Sequence, residues 1–362
     1  MTDILIPSLC WIDGRCYRVN DSNTRDVTAF QEHDLYENEH NDDGIVDEGD
    51  EDDFEIITVD DSRFSTCLHV SQHYIGSIIG KKGATKSRIE RDTRTDIKIP
   101  KIGQTGDITI FGSNVSNIKA ARRRINIIVT SSRMKQRSTH FISLPMNNSD
   151  ITRNFELFKE TVLRDCSSKG LDESLFIRPQ KLHLTLGVMC LMDNEERLLA
   201  SKLLTEAKEK VVKPLLGNCP SLRIRLRGLS YMNDDPSAID VLYGCVEEEN
   251  GPPGIIQRLA DGLVDHFYKA GYMDREYGRD NVKLHVTLIN SKYRSRTSTS
   301  VNDDVTGSKR QARLTFDGSE ILNKYADYDF GVTELKEIHL SQRHSMGNDG
   351  YYQPTCVISC DI

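Results

Sequence analysis

The sequence predicts an α+β chain in which a small basic module precedes a larger block of two pseudo-symmetric lobes, and three observations predict it. A six-residue pattern of alternating polar and apolar residues at Lys181 recurs at Lys283. Upstream, a Gly-Lys-Lys-Gly loop joins two short segments of helical pattern. An acidic tract separates that module from a short N-terminal segment.

With 362 residues the chain has room for two domains. Its 28% charged and 37% hydrophobic residues suit an ordinary globular protein. No apolar run approaches the ~18 residues that cross a bilayer, and Asp3 interrupts any secretion-type leader, so no membrane role is expected. Nine cysteines, an odd number without a C-x-x-C pair, argue against a disulfide framework or a zinc site and for a reducing compartment. The net charge of −8 hides a strong asymmetry. Glu32 to Asp61 holds fifteen acids and no Lys or Arg, whereas Arg63 to Arg133 holds fourteen Lys and Arg against four acids. A local basic patch is the footprint of a nucleic-acid binder, and alone it would be no more than a solvated surface.

Residues 1–25 carry Ile12-Asp13-Gly14-Arg15, a hairpin signal, in a segment too short for its own core, and read as a partner-docking piece. Residues 26–62 are acidic and poor in apolar residues and read as a disordered linker. Residues 63–132 form the basic module, with strands near Phe64–Val70, Asp96–Ile99 and Asp107–Gly112 and helices near Ser71–Ile79, Ala84–Thr93 and Val115–Thr130. Residues 138–362 alternate strands and helices, and 293–313 read as a surface loop. His69, His73, His339 and His344 receive no functional role.

A lone G-x-x-G is weak evidence, but Gly80-Lys81-Lys82-Gly83 lies between two helical segments, after Ile75, Ile78 and Ile79 and before Ile97-Lys98-Ile99-Pro100. In this context residues 64–130 resemble the type I KH family, with element order β-α-α-β-β-α. The resemblance implies that single-stranded RNA is clamped over about four nucleotides at that loop. Gly80 and Gly83 would let the backbone approach phosphate, Lys81 and Lys82 would supply charge, and Ile79, Ile89 and Ile97 would line an apolar groove, some of them serving as core instead.

Lys181-Leu182-His183-Leu184-Thr185-Leu186 recurs as Lys283-Leu284-His285-Val286-Thr287-Leu288. Strict alternation makes each a strand with Leu/Val on one face and Lys, His and Thr on the other. Core packing explains the repeated apolar face. It gives no reason to repeat the polar one, which implies a repeated polar task. The pair resembles the two-histidine phosphoesterase superfamily, in which two lobes each bring an H-x-[ST] strand to a central cleft. The resemblance covers 138–362 and implies His183, Thr185, His285 and Thr287 as the catalytic set. Imidazoles offer base and acid forms near neutral pH, and threonine hydroxyls can bind non-bridging phosphate oxygens. With no carboxylate flanking either motif, no metal and no other cofactor is called for.

The two modules in this order, with Tyr231 to Tyr243 and Ile338 to Arg343, resemble the KH–phosphoesterase subunits of transcription coactivator complexes. That resemblance implies a nuclear protein, a large helicase subunit of a cointegrator complex as partner through the N-terminal segment, and roles in coactivation and alkylation-damage repair. Two functions stand open. One is an enzyme on RNA phosphodiesters or cyclic-phosphate ends, with the KH module raising effective concentration at the cleft. The other is a non-catalytic RNA-binding scaffold whose cleft holds a phosphate end or nucleotide.

Overall fold

The structure, a computed structural model, describes residues 9–12, 15–18, 54–60, 63–101, 106–217, 219, 221–274, 281–294 and 314–361. The chain divides into two units, Met1–Asp53 and Phe54–Ile362. In the first, β1 (Leu9–Ile12) and β2 (Arg15–Arg18) pair antiparallel, with Trp11 opposite Cys16. The Asp13-Gly14 turn and residues 26–53 lie outside the described residues.

The second unit begins with a four-stranded antiparallel sheet, β3 (Ile57–Asp60), β4 (Arg63–Leu68), β6 (Ile108–Gly112) and β5 (Thr95–Lys98), in that spatial order. Helices α1 (Gln72–Ile79), α2 (Ala84–Thr93) and α3 (Val115–Met134) cover one face. Asn114 caps α3, its Oδ1 accepting from Asn117 N at 2.8 Å. Ile118, Ala121, Ile125 and Ile128 then recur along one face and bury it. Strand β3 corrects the linker assignment. Residues 54–60 lie in the acidic tract, yet they pair with β4, and Phe54 and Ile56 pack on the KH core. The β-branched run Ile56-Ile57-Thr58-Val59 prevails over the acidic average.

The larger block is one eight-stranded antiparallel sheet with strands β7 (His140–Pro145), β8 (His183–Met189), β9 (Arg223–Tyr231), β10 (Val241–Glu248), β11 (Val286–Asn290), β12 (Asp329–Glu334), β13 (Glu337–Met346) and β14 (Tyr352–Ser359). Its order is β12-β9-β10-β11-β8-β7-β13-β14, so the two motif strands are central neighbours and each leads a four-strand half. Helices α4 (Ser149–Asp165), α5 (Asn194–Ala207), α6 (Lys213–Leu216), α7 (Ile255–Lys269) and α8 (Ser319–Tyr325) complete it. Strand β12 went unread in the sequence. The expected 293–313 loop falls largely outside the described residues, but Tyr293 ends a short 3-10 turn and Arg294 is held by Asp172 at 3.0 Å.

The KH module is docked on the sheet block, where a loose tether would have sufficed to concentrate RNA. Tyr74 of α1 is fully buried, its hydroxyl 3.9 Å from Cys190 Sγ. Arg133, near the end of α3, donates to Glu196 Oε1 and to Gly271 O, both at 2.6 Å, with its guanidinium 4.4 Å from the Tyr272 ring. Glu196 also accepts from Met192 N at 2.7 Å. His69 bridges Asp107 of the KH module at 3.2 Å and Asp193 of the sheet block at 3.1 Å. Burial opposes charging of this ring, but the two carboxylates outweigh it and raise its pKa. α3 runs four residues past its expected end, to Met134, and so carries Arg133 into this junction.

Arg133 and Glu196 are 7% and 3% exposed. Removing one partner strands a buried charge, so Arg133→Ala should lower unfolding free energy in urea by about 3–5 kcal/mol. Arg133→Met with Glu196→Leu should recover most of that loss. Equal losses in the single and double variants would contradict this account of the junction.

Candidate active site

The motif strands meet through a single ladder pair, Leu184 opposite Val286. Both side chains are fully buried on the helix-covered face. Extending this antiparallel register by one residue in each direction puts Thr185 across from His285 and Thr287 across from His183. Four half-buried polar side chains therefore share the opposite face, with the histidines on one diagonal. Diagonal neighbours in such a pair lie roughly 7–8 Å apart, within the span of one phosphate group held between two ring nitrogens.

Each motif strand begins later than the sequence pattern implies, at His183 and at Val286. Lys181 closes a 3-10 turn opened by Pro179. The departure is repeated in both lobes and has a use. His183 Nδ1 donates to Lys181 O at 2.6 Å, and His285 Nδ1 to Lys283 O at 2.8 Å. A carbonyl only accepts, so both neutral rings carry the proton on Nδ1 and present Nε2 as the reactive nitrogen.

Tyrosines that the sequence reading did not assign complete the pseudo-symmetry. The Tyr352 ring stands edge-on to His183 at 5.2 Å, with Lys181 Nζ 5.4 Å from the same ring. The Tyr243 ring stands edge-on to His285 at 5.5 Å, with Lys283 Nζ 5.0 Å from it. Tyr243 pairs directly with Thr287 across β10 and β11. Around His183 the wall is thicker, with Phe141 at 5.1 Å and Tyr351, whose hydroxyl bonds Ser143 at 3.0 Å. Burial in this aromatic wall pushes the His183 pKa down to about 4, and the nearby His285 and Lys181 depress it further. On the other side, Asp261 of α7 accepts from Val282 N and Asn281 Nδ2, each at 2.7 Å, and so ties down the segment leading into His285.

In the KH module, Gly80, Lys82 and Gly83 all have positive φ. A Cβ on Gly80 would lie 2.1 Å from Thr85 Oγ1, so glycine is required there. At Gly83 the same direction is open, room into which a phosphate can come. Lys81 and Lys82 are exposed and Ile79 is partly open. Ile97 and Ile89 are each 1% exposed and belong to the core, which corrects the groove assignment for both. Strand β5 alternates buried and exposed residues, so Ile97 points inward while Lys98 faces out.

Comparison with known proteins agrees with this division. The sequence profile of the AKAP7 2'5' RNA ligase-like domain matches residues 138–360, and that of the KH domain matches 65–127. Activating signal cointegrator 1 complex subunit 1 of Mus musculus is 32% identical over 357 residues, 97% of each chain. Among solved structures, E. coli LigT complexed with NADP+ is 14% identical, covering 62% of this chain and 98% of that one at a TM-score of 0.32. The first type I KH domain of human vigilin is 22% identical, covering 25% and 94% at a TM-score of 0.21. The chain thus carries a KH domain and an AKAP7 2'5' RNA ligase-like domain.

The depressed His183 pKa has a consequence for stability. Below pH 6.5 the unfolded chain binds a proton on this residue that the folded chain refuses until about pH 4. Stability is therefore complete above pH 6.5 and falls as pH drops toward 4. Thermal melts across this window should show a shallower loss for His183→Gln than for wild type. His140, also held near 4 by burial and Arg197, contributes equally to both proteins. Parallel curves would contradict the burial of a neutral His183.

Proposed function

The chain belongs to the family of activating signal cointegrator 1 complex subunit 1, and on that premise we propose that it is a metal-independent RNA phosphodiesterase. The observation that carries the reading is the matched pair of imidazoles, each locked through Nδ1 to the carbonyl two residues before it. Two such rings diagonal on one face supply both proton transfers of a phosphodiester displacement.

His183, neutral at working pH, is the base. Its Nε2 takes the proton of a ribose 2'-hydroxyl, whose oxygen attacks the adjacent phosphorus. The bond from phosphorus to the 5'-oxygen of the next nucleoside breaks, and His285, entering as the imidazolium with a second proton on Nε2, delivers that proton to the leaving oxygen. The products are a 2',3'-cyclic phosphate and a free 5'-hydroxyl. Water in place of the 2'-hydroxyl would open a cyclic end by the same exchange. Thr185 and Thr287 can donate to the non-bridging oxygens as charge grows on them. The KH loop holds the strand, and its docking fixes the direction of delivery. Gly80 lies six residues beyond the interface residue Tyr74, about 9 Å along the helix axis. On family kinship alone, we extend the proposal to a nuclear setting in transcription coactivation and alkylation repair, with a helicase subunit docking the N-terminal segment.

Oligoribonucleotides of defined end chemistry should be turned over equally with and without a chelator. His183→Ala or His285→Ala should lower the rate about 10²–10⁴-fold. Retained RNA binding with no turnover on any end would establish the scaffold function instead. Lys81→Asp with Lys82→Asp should weaken RNA binding and reduce the salt dependence by roughly 0.7 in slope per lost phosphate contact. Unchanged affinity would remove the loop from the RNA path.

A further inference from the structure

Two charged contacts from the KH module end on the first turn of α5. Asp193 caps this helix, its Oδ1 accepting from Glu196 N at 2.9 Å. Its Oδ2 faces His69 Nε2 at 3.1 Å. Glu196 divides its oxygens in the same way, Oε2 taking Met192 N and Oε1 taking Arg133. The two contacts differ in chemistry. A guanidinium keeps its charge at any working pH, so Arg133 is a permanent anchor. An imidazole changes charge near neutrality, so His69 is a conditional one.

The geometry around His69 sets the condition. Its Nδ1 lies 3.2 Å from Oδ1 of Asp107, just ahead of β6, and its Nε2 meets Asp193 across the junction. A carboxylate only accepts, and a neutral imidazole carries one N–H. Both contacts are hydrogen bonds only when the ring holds two protons. With one proton, a ring lone pair faces a carboxylate, and one of the two bonds becomes a repulsion. Burial opposes the charge on Asp193, but the Glu196 N–H and His69 outweigh it and hold its carboxyl below the usual range. Burial raises the neighbouring Tyr74 and Cys190 and pushes Tyr272 up to about 12, so these three stay neutral. The second ring on this side, His73, bonds Ser71 Oγ at 3.2 Å.

We propose that His69 is a proton-operated latch between the KH module and the block that holds the cleft. The imidazolium closes the junction. Its deprotonation loosens the first turn of α5 from the KH module and leaves Arg133–Glu196 as the pivot. Burial opposes charging of the ring, but the two carboxylates outweigh it, so the folded pKa stands above the ordinary 6.5. The latch therefore contributes fully below pH 6.5 and is lost as pH rises through the folded value. This sign is opposite to that of His183, whose contribution is complete above pH 6.5. Docking sets the direction from which the KH loop meets the cleft, so the latch makes that direction dependent on pH.

Two measurements on the full-length protein test the latch. Nitrogen NMR of 15N-histidine-labelled protein reads the ring: at about pH 6 both His69 nitrogens should carry protons, and the ring should titrate above 6.5. Amide hydrogen exchange, corrected for its intrinsic pH dependence, reads the junction. Protection of the Glu196 amide should fall at least about three-fold between about pH 6 and about pH 9. His183 and His140, both held near 4, are silent in this window. His69→Gln should abolish the step, because its side-chain amide keeps the same donors at every pH, and His73→Gln should keep it. Protection in the β10–β11 ladder should stay constant, which separates local loosening from unfolding. A His69 ring that is neutral at about pH 6, wild-type protection without a step, or an equal fall in the β10–β11 ladder would each overturn the proposal. So would a step that survives His69→Gln or vanishes in His73→Gln. Neither readout involves RNA or turnover, so the outcome is independent of the catalytic reading.

Discussion

The site depends on one register, Leu184 opposite Val286. In a strand, faces alternate with a period of two, so a slip of one residue in either motif strand would bury its histidine and expose its apolar residues. Full burial of Leu184, Val286 and Leu288 opposes that slip, each at roughly 2 kcal/mol of transfer free energy. With this pairing in place, the polar quartet follows without further specification. The two lobes share the task because the sheet order is symmetric about this pair of strands.

Symmetry in the backbone does not carry over to the environment. His183 is walled by Phe141, Tyr351 and Tyr352, while His285 meets Tyr243 and an open, carboxylate-lined space. The same local motif thus places one ring among aromatic side chains and the other beside a polar cavity. The buried Arg133–Glu196 pair and the His69 bridge add a second constraint, because they turn an RNA clamp and a cleft into one body.

Much of this was legible in the residues. The six-residue repeat disclosed the histidine strands and their faces because its period is local. The G-x-x-G loop was legible because its glycines need backbone angles that few residues take. Tyr243 and Tyr352 were not, since they reach the histidines from β10 and β14 and no short-range pattern ties them to the motif. The Arg133–Glu196 contact spans 63 positions and leaves no periodic trace. Strand β3 was hidden by averaging, the acids of the tract masking four β-forming residues at its end. Ile97 was misassigned because a strand residue beside a binding loop can face either way, and only the sheet's packing decides.

The most direct test of the central claim, that two imidazoles act on one phosphorus, is nitrogen NMR of 15N-histidine-labelled protein titrated with uridine vanadate, a mimic of the five-coordinate phosphorus. The account predicts that Nε2 signals of His183 and His285 move together and saturate at one equivalent, with both Nδ1 sites staying protonated. A response from one ring alone, or two independent binding events, would contradict it.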